Sequence, residues 1–231
     1  GKPLQNLDVK KKIRIIDHII DHLKQIDFID SIVLGIAKGT ENEIYKEIAD
    51  EKKINYIFGD EEDVLNRLIM CGEKNNATDI FRITTESPFL YHQSLEELWG
   101  KYKKENLDAI FQDDIVDGCG YEIISLKALR KSHTQGEDRH RSELCTLFIR
   151  ENQDKFRIKK IKAEKKYNRK DLRFTVDNPE DLIVCRELYK AFKSDSPQIN
   201  IEDLIDHMDK NQSLINLTLK YTEEGYKTMY K

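Results

Sequence analysis

The chain has 231 residues, 39% of them hydrophobic and 35% charged, and a net charge of −4. That apolar share supports a sizeable core, and no apolar run approaches the roughly 18 residues that a membrane-spanning helix needs. The mild negative charge offers no general attraction to nucleic acid or to an anionic membrane.

The first periodic segment is 13–26, where Ile15, Ile16, Ile19, Ile20 and Leu23 recur at helical spacing. A buried-strand run over 31–36 follows, then a helix over 41–52 and a second strand over 54–58. The next helix is expected over 61–71, with Asp60 placed to cap it. A third strand over 79–84, a helix over 94–104 and a fourth strand over 108–111 complete the first half. This alternation predicts an α/β fold, mainly a parallel sheet with helices on both faces. Ligands in such sheets bind beyond the carboxyl ends of the strands, which singles out Thr84-Thr85-Glu86-Ser87-Pro88.

After Gly118 the order changes. Strands are expected over 121–124, 156–161 and 172–176, and helices over 126–132, 143–152 and 182–192. Asp177-Asn178-Pro179-Glu180-Asp181 has the composition of a helix entry. Helices over 201–208 and 214–221 form a tail from 195 onward. With no repeat and no linker, the reading is a single domain over 1–231.

Cys71, Cys119, Cys145 and Cys185 lie too far apart for a zinc site or a disulfide framework, and read as reduced thiols of a cytoplasmic protein. The opening Gly1-Lys2-Pro3-Leu4 carries no signal peptide, and the absence of a Met suggests a start further upstream.

Glu61-Glu62-Asp63-Val64-Leu65-Asn66-Arg67, the segment from Asp79 to Pro88, and Asp171-Leu172-Arg173-Phe174-Thr175-Val176-Asp177-Asn178-Pro179-Glu180-Asp181-Leu182 form a set. Together they resemble the cytidylyltransferases that make CMP-activated sugar acids. The likeness is greatest to the spore-coat-polysaccharide type, with CMP-Kdo and CMP-sialic acid synthetases more distant. It implies a Rossmann-like nucleotidyltransferase fold, whose first strand and most of whose phosphate loop would precede Gly1. It makes Lys2 the loop's phosphate-binding lysine and Asp177 a magnesium ligand. Glu86 stands where the family carries a second metal-binding Asp. Asp117-Gly118 with Glu122 resembles a substrate-proximal segment, and Arg67 and Arg82 become candidates for phosphate or acceptor contacts. Ser142 to Thr146 lacks a histidine that relatives carry there. The implied partners are CTP and a sugar acid, the implied cofactor is Mg2+, and the implied assembly is a homodimer. GTP with a sugar 1-phosphate, CTP with a phosphonate, and a non-catalytic binding module are the alternatives.

The chemistry suits these residue types. An acceptor oxygen attacks the α-phosphate and pyrophosphate leaves, so the protein must neutralise triphosphate charge and align the two oxygens. Magnesium takes one or two carboxylates plus phosphate and water oxygens. Lys2 and Arg82 would supply the fixed positive charge in catalysis.

Plainer roles compete. Asp177 could only cap the following helix, Glu86 could be a turn residue, and Arg82 a buried ion pair. Lys2 near a terminus could be a surface lysine. His18 and His22, four apart, read as a partly exposed polar face rather than a metal pair, because no further ligands follow at zinc spacing. His133 and His140 read as the surface of a loop around Gln135 to Asp138.

Overall fold

A computed structural model describes residues 1–228, with side chains as far as Thr222. The chain opens with a hairpin the periodicity did not announce, β1 (Asn6–Asp8) against β2 (Ile13–Arg14), antiparallel. Strands this short are held by their neighbours: Leu7 is buried in the main core, and Arg186 Nε donates to the Asn6 carbonyl at 2.7 Å.

Helix α1 (Ile15–Leu23) starts where Asp17 accepts from both the backbone and the side chain of Arg14. Ile15 and Ile19 enter the main core, whereas Ile16 and Ile20 pack with Leu34, Ile36 and Ile48 of a second one. Being apolar on two faces, α1 is covered on both sides. His18 and His22 are therefore 2% exposed, not the partly exposed polar face expected.

Strands β3 (Val33–Ala37) and β4 (Asn55–Gly59) pair in parallel through α2 (Glu43–Lys52). Helix α3 (Val64–Lys74) starts later than expected because Asp63, not Asp60, accepts from the Asn66 amide. Asp60 instead accepts from the amides of Glu62 and Asp63 and shapes the turn before the helix.

The second half begins with β5 (Asp79–Arg82), α4 (Leu95–Lys104), β6 (Ala109–Asp114), β7 (Tyr121–Ser125) and α5 (Leu126–Gln135). It continues with α6 (Leu147–Glu151), β8 (Ile158–Lys162), α7 (Pro179–Phe192), α8 (Ile201–Asp209) and α9 (Gln212–Thr228). Its four-stranded sheet runs β5-β7-β6-β8, with β6 and β8 parallel and β7 antiparallel to both neighbours. The α/β plan holds, but this sheet is mixed rather than mainly parallel. The link between β6 and β7 covers only 115–120, too short for the crossover that parallel pairing demands.

Residues 172–176 are buried as expected but form no strand. Their one ladder contact is a bridge from Arg173 to Asp117, because their neighbours are loops. The tail is core rather than appendage: Ile201, Leu204, Ile205 and Met208 belong to the main cluster. His140 is buried, with Nδ1 accepting from the Glu137 amide and Nε2 against Glu151 at 2.9 Å. His133 lies on α5 beside Asp63 at 2.8 Å, so neither histidine is loop surface. All four cysteines are free thiols. No helix among the described residues is long and apolar enough to cross a membrane.

Candidate active site

Three connections beyond strand ends converge. Residues 84–88 follow β5, 115–118 follow β6, and 172–178 lead into α7. The backbone ties them together: the Val176 amide donates to the Glu86 carbonyl at 3.0 Å, and the Phe174 amide to the Asp117 carbonyl at 2.8 Å. Gly118 has a φ of +89°, and a Cβ there would sit 2.7 Å from the backbone of Phe174 and Thr175. Only glycine allows both the turn and that approach. The hairpin resting on α7 sets the turn at Lys2–Leu4 beside this junction.

The convergence gathers charge. Arg173, 4% exposed, uses three nitrogens on three carboxylates: Nη1 to Asp117 at 3.0 Å, Nη2 to Oδ2 of Asp177, and Nε to Asp181 at 3.0 Å. Asp181, fully buried, also accepts from the amides of Asp177 and Asn178 at 3.0 and 2.8 Å, which caps α7. The other oxygen of Asp177, Oδ1, takes the Lys2 ammonium at 2.7 Å. That hydrogen bond raises the Lys2 pKa above the ordinary lysine value. Burial pushes the Glu86 carboxyl up, and the charge on Asp177 adds to it, against Lys2 and Arg82. Burial likewise raises Asp117, and Arg173 opposes the rise.

The structure thus brings Lys2, Glu86, Asp117 and Asp177 together. Arg82, part-buried, and Glu122, buried, sit in an adjoining network. Arg82 Nη1 donates to Glu122 at 2.7 Å and its Nη2 to the Glu143 carbonyl at 2.9 Å. Arg150 Nη2 bonds the other oxygen of Glu122 at 2.9 Å. Burial alone would raise the Glu122 carboxyl, but the two arginines outweigh it and hold it below the usual range. Arg67 stands apart, its stem over Gly59 and its Nη1 donating to the Asp60 and Glu61 carbonyls.

Two residues of the cluster were not singled out from sequence, Arg173 and Asp181. The signal was present: an arginine inside a buried apolar run must find carboxylates, and acids stand on either side of it. Its partners could not be named without the loops.

Glu86 and Asp177 are the candidates for a cation. Among the described residues no group of three or more His, Cys, Asp or Glu side chains could hold a metal alone. A carboxylate pair fits magnesium, which keeps water and phosphate oxygens as its remaining ligands.

An α/β sheet with lysine, arginine and carboxylates converging beyond its strand ends has the charges that a nucleotidyltransferase needs around a triphosphate. The sequence profile of the cytidylyltransferase family matches residues 1–217, and the chain belongs to that family. It is similar to the spore coat polysaccharide biosynthesis protein SpsF of Bacillus subtilis, 22% identical over 203 residues, covering 86% of this chain and 84% of that protein. In fold it matches a cytidylyltransferase from Leptospira borgpetersenii with a TM-score of 0.82 at 21% identity, covering 93% and 90% of the two chains. It also matches CMP:2-keto-3-deoxy-manno-octonic acid synthetase complexed with CTP, with a TM-score of 0.58 at 14% identity, covering 83% and 92%.

Proposed function

We propose that the protein transfers CMP from CTP to a sugar acid, with release of pyrophosphate, in the assembly of a surface glycan. The observation that carries this is the Lys2–Asp177–Arg173 arrangement beside Glu86. An exposed cation and a held carboxylate stand together beyond the strand ends. Family membership supports cytidylyl transfer. The name of the Bacillus relative supports a glycan role, and the synthetase with CTP supports both the nucleotide and the acid acceptor.

In the reaction an acceptor hydroxyl oxygen bonds to the α-phosphorus while the bond from that phosphorus to the bridging oxygen breaks. Pyrophosphate leaves with the electron pair, and the acceptor proton passes to solvent. Lys2 and Asp177 are 54% and 38% exposed, so their ion pair contributes only about 0–1 kcal/mol. The ammonium can therefore exchange Asp177 for a triphosphate oxygen at little cost. Glu86 and Asp177 would hold magnesium, which supplies charge neutralisation on the phosphates. Arg82 is committed to Glu122 and reaches this junction only as a positive charge felt at Glu86.

Each of the four nucleoside triphosphates, incubated with Mg2+ and a panel of sugar acids, sugar 1-phosphates and phosphonates, tests the reading by pyrophosphate release. CTP with a sugar acid is the expected pair, and release with no combination overturns it. The family resemblance also supports a cytoplasmic location and a homodimer, and sedimentation of the purified protein would detect the dimer.

A further inference from the structure

We propose that Arg173 is a positioning residue for this reaction, one that turns Asp177 into a one-oxygen ligand for the cation. The proposal rests on the magnesium role given to Asp177 above. Two observations set it up. The Asp177 side chain is 38% exposed, so packing does not fix its rotation. Its Oδ2 is nevertheless tied to Arg173, while Oδ1 faces outward and carries the Lys2 ammonium.

The tie is rigid because the guanidinium is itself held at both other nitrogens. Nη1 is on Asp117, whose loop is pinned by the Phe174 amide, and Nε is on the fully buried Asp181. Asp181 in turn holds the backbone amide of Asp177. Arg173 thus controls Asp177 twice, through its carboxylate and, by way of Asp181, through its main chain. A planar fork holds three carboxylates in fixed directions around it, whereas a lysine ammonium, with three rotatable donors on a compact point charge, fixes no such directions. Without the tie, Asp177 would be free to rotate and to chelate with both oxygens or to turn from Glu86. A purely structural account would have Arg173 only neutralise buried acids, and the two accounts part at the cation.

The test uses Mn2+ as the probe, read by electron paramagnetic resonance in the nucleotide-free Lys2→Met protein, where no ammonium sits on Oδ1. Adding Arg173→Lys should weaken Mn2+ binding about tenfold. Adding Asp181→Asn instead, which loosens the helix cap but leaves the bond from Arg173 to Oδ2, should weaken it less at an equal loss of melting temperature. Equal losses of affinity at equal stability overturn the proposal, as does failure of Lys2→Met to bind Mn2+ at all. If Arg173→Lys does not fold, nitrogen NMR of the unchanged protein decides. The Arg173 Nη hydrogens should stay slowly exchanging when Mg2+ is added, and their collapse to a rotating, averaged signal overturns it. None of these readouts depends on which nucleotide or acceptor is used, so a failed pyrophosphate assay and a failed positioning role are separable.

Discussion

Two ion clusters lie side by side in this protein and are built on opposite plans. One sets a single guanidinium, Arg173, against the three carboxylates of Asp117, Asp177 and Asp181. The other sets two guanidiniums, Arg82 and Arg150, against Glu122, with Asp113 on the far side of Arg150. The second balances its charge between these partners, and both Glu122 and Arg150 are buried. The first carries an excess of negative charge and opens at Asp177. Excess charge at an open end recruits a cation, here Lys2. A balanced and closed cluster offers a phosphate or a metal much less, and mainly stiffens the sheet edge.

Substitutions should separate the two, the stability cluster giving the largest effect. Glu122→Ala leaves the buried Arg150 guanidinium and the part-buried Arg82 one without their shared carboxylate, and should cost about 3–5 kcal/mol in urea unfolding. A loss under about 1 kcal/mol would show that the cluster is not closed. Asp177→Ala should do the reverse. We expect kcat/KM to fall at least about a hundredfold, roughly 2.7 kcal/mol of transition-state stabilisation, with unfolding free energy changed by about 1 kcal/mol or less. A variant that unfolds in proportion to its loss of rate would make Asp177 a mere helix-cap neighbour.

Acid should strain the fold around the open cluster by another route. His22 lines a narrow cavity with Ile83, Thr84, Ser87 and Gly118, directly under the loops that bear Glu86 and Asp117. Burial depresses His22 to about 3 and His18 to about 4, from the ordinary 6.5. Below about pH 6.5 the unfolded chain takes up protons that the folded protein refuses, so stability falls with pH until the folded values are reached. Each histidine should withdraw about 2 kcal/mol by about pH 5. His22→Leu should remove that share of the difference between urea midpoints at neutral pH and at about pH 5, and an unchanged difference would refute the assignment.

The smallest effect expected is the most specific. Lys2→Met frees Oδ1 of Asp177, and should strengthen Mn2+ binding to the nucleotide-free protein up to about fivefold, the scale of an exposed ion pair. It should weaken triphosphate binding at the same time. Weaker binding of both ligands would mean that Lys2 does not exchange between them.

Much of this is legible in the amino-acid sequence. Helix α7 and its entry could be read from Asp177-Asn178-Pro179-Glu180-Asp181, because capping and a proline at the first turn are local effects. Candidates at 2, 86, 117 and 177 came from the family pattern, and the structure brings those four together. Arg82 and Glu122 came from the same pattern and lie in the neighbouring network. The failures have a common cause. Residues 172–176 look like a strand because they are apolar, but a strand requires a strand beside it, and these meet loops. His18 and His22 look like a polar face because imidazoles usually are one, whereas α1 is covered on two sides.

The sequence alone therefore determined the alternation of elements, the charged residue types that meet beyond the strand ends, and the family. Those depend on periodicity and on short motifs, which act over a few residues. Tertiary structure alone decided that Arg173 binds three carboxylates, that one oxygen of Asp177 is tied while the other faces a lysine 175 positions away, and that β7 runs against its neighbours. Partners so distant in the chain are chosen by how loops pack, and no local preference encodes that choice.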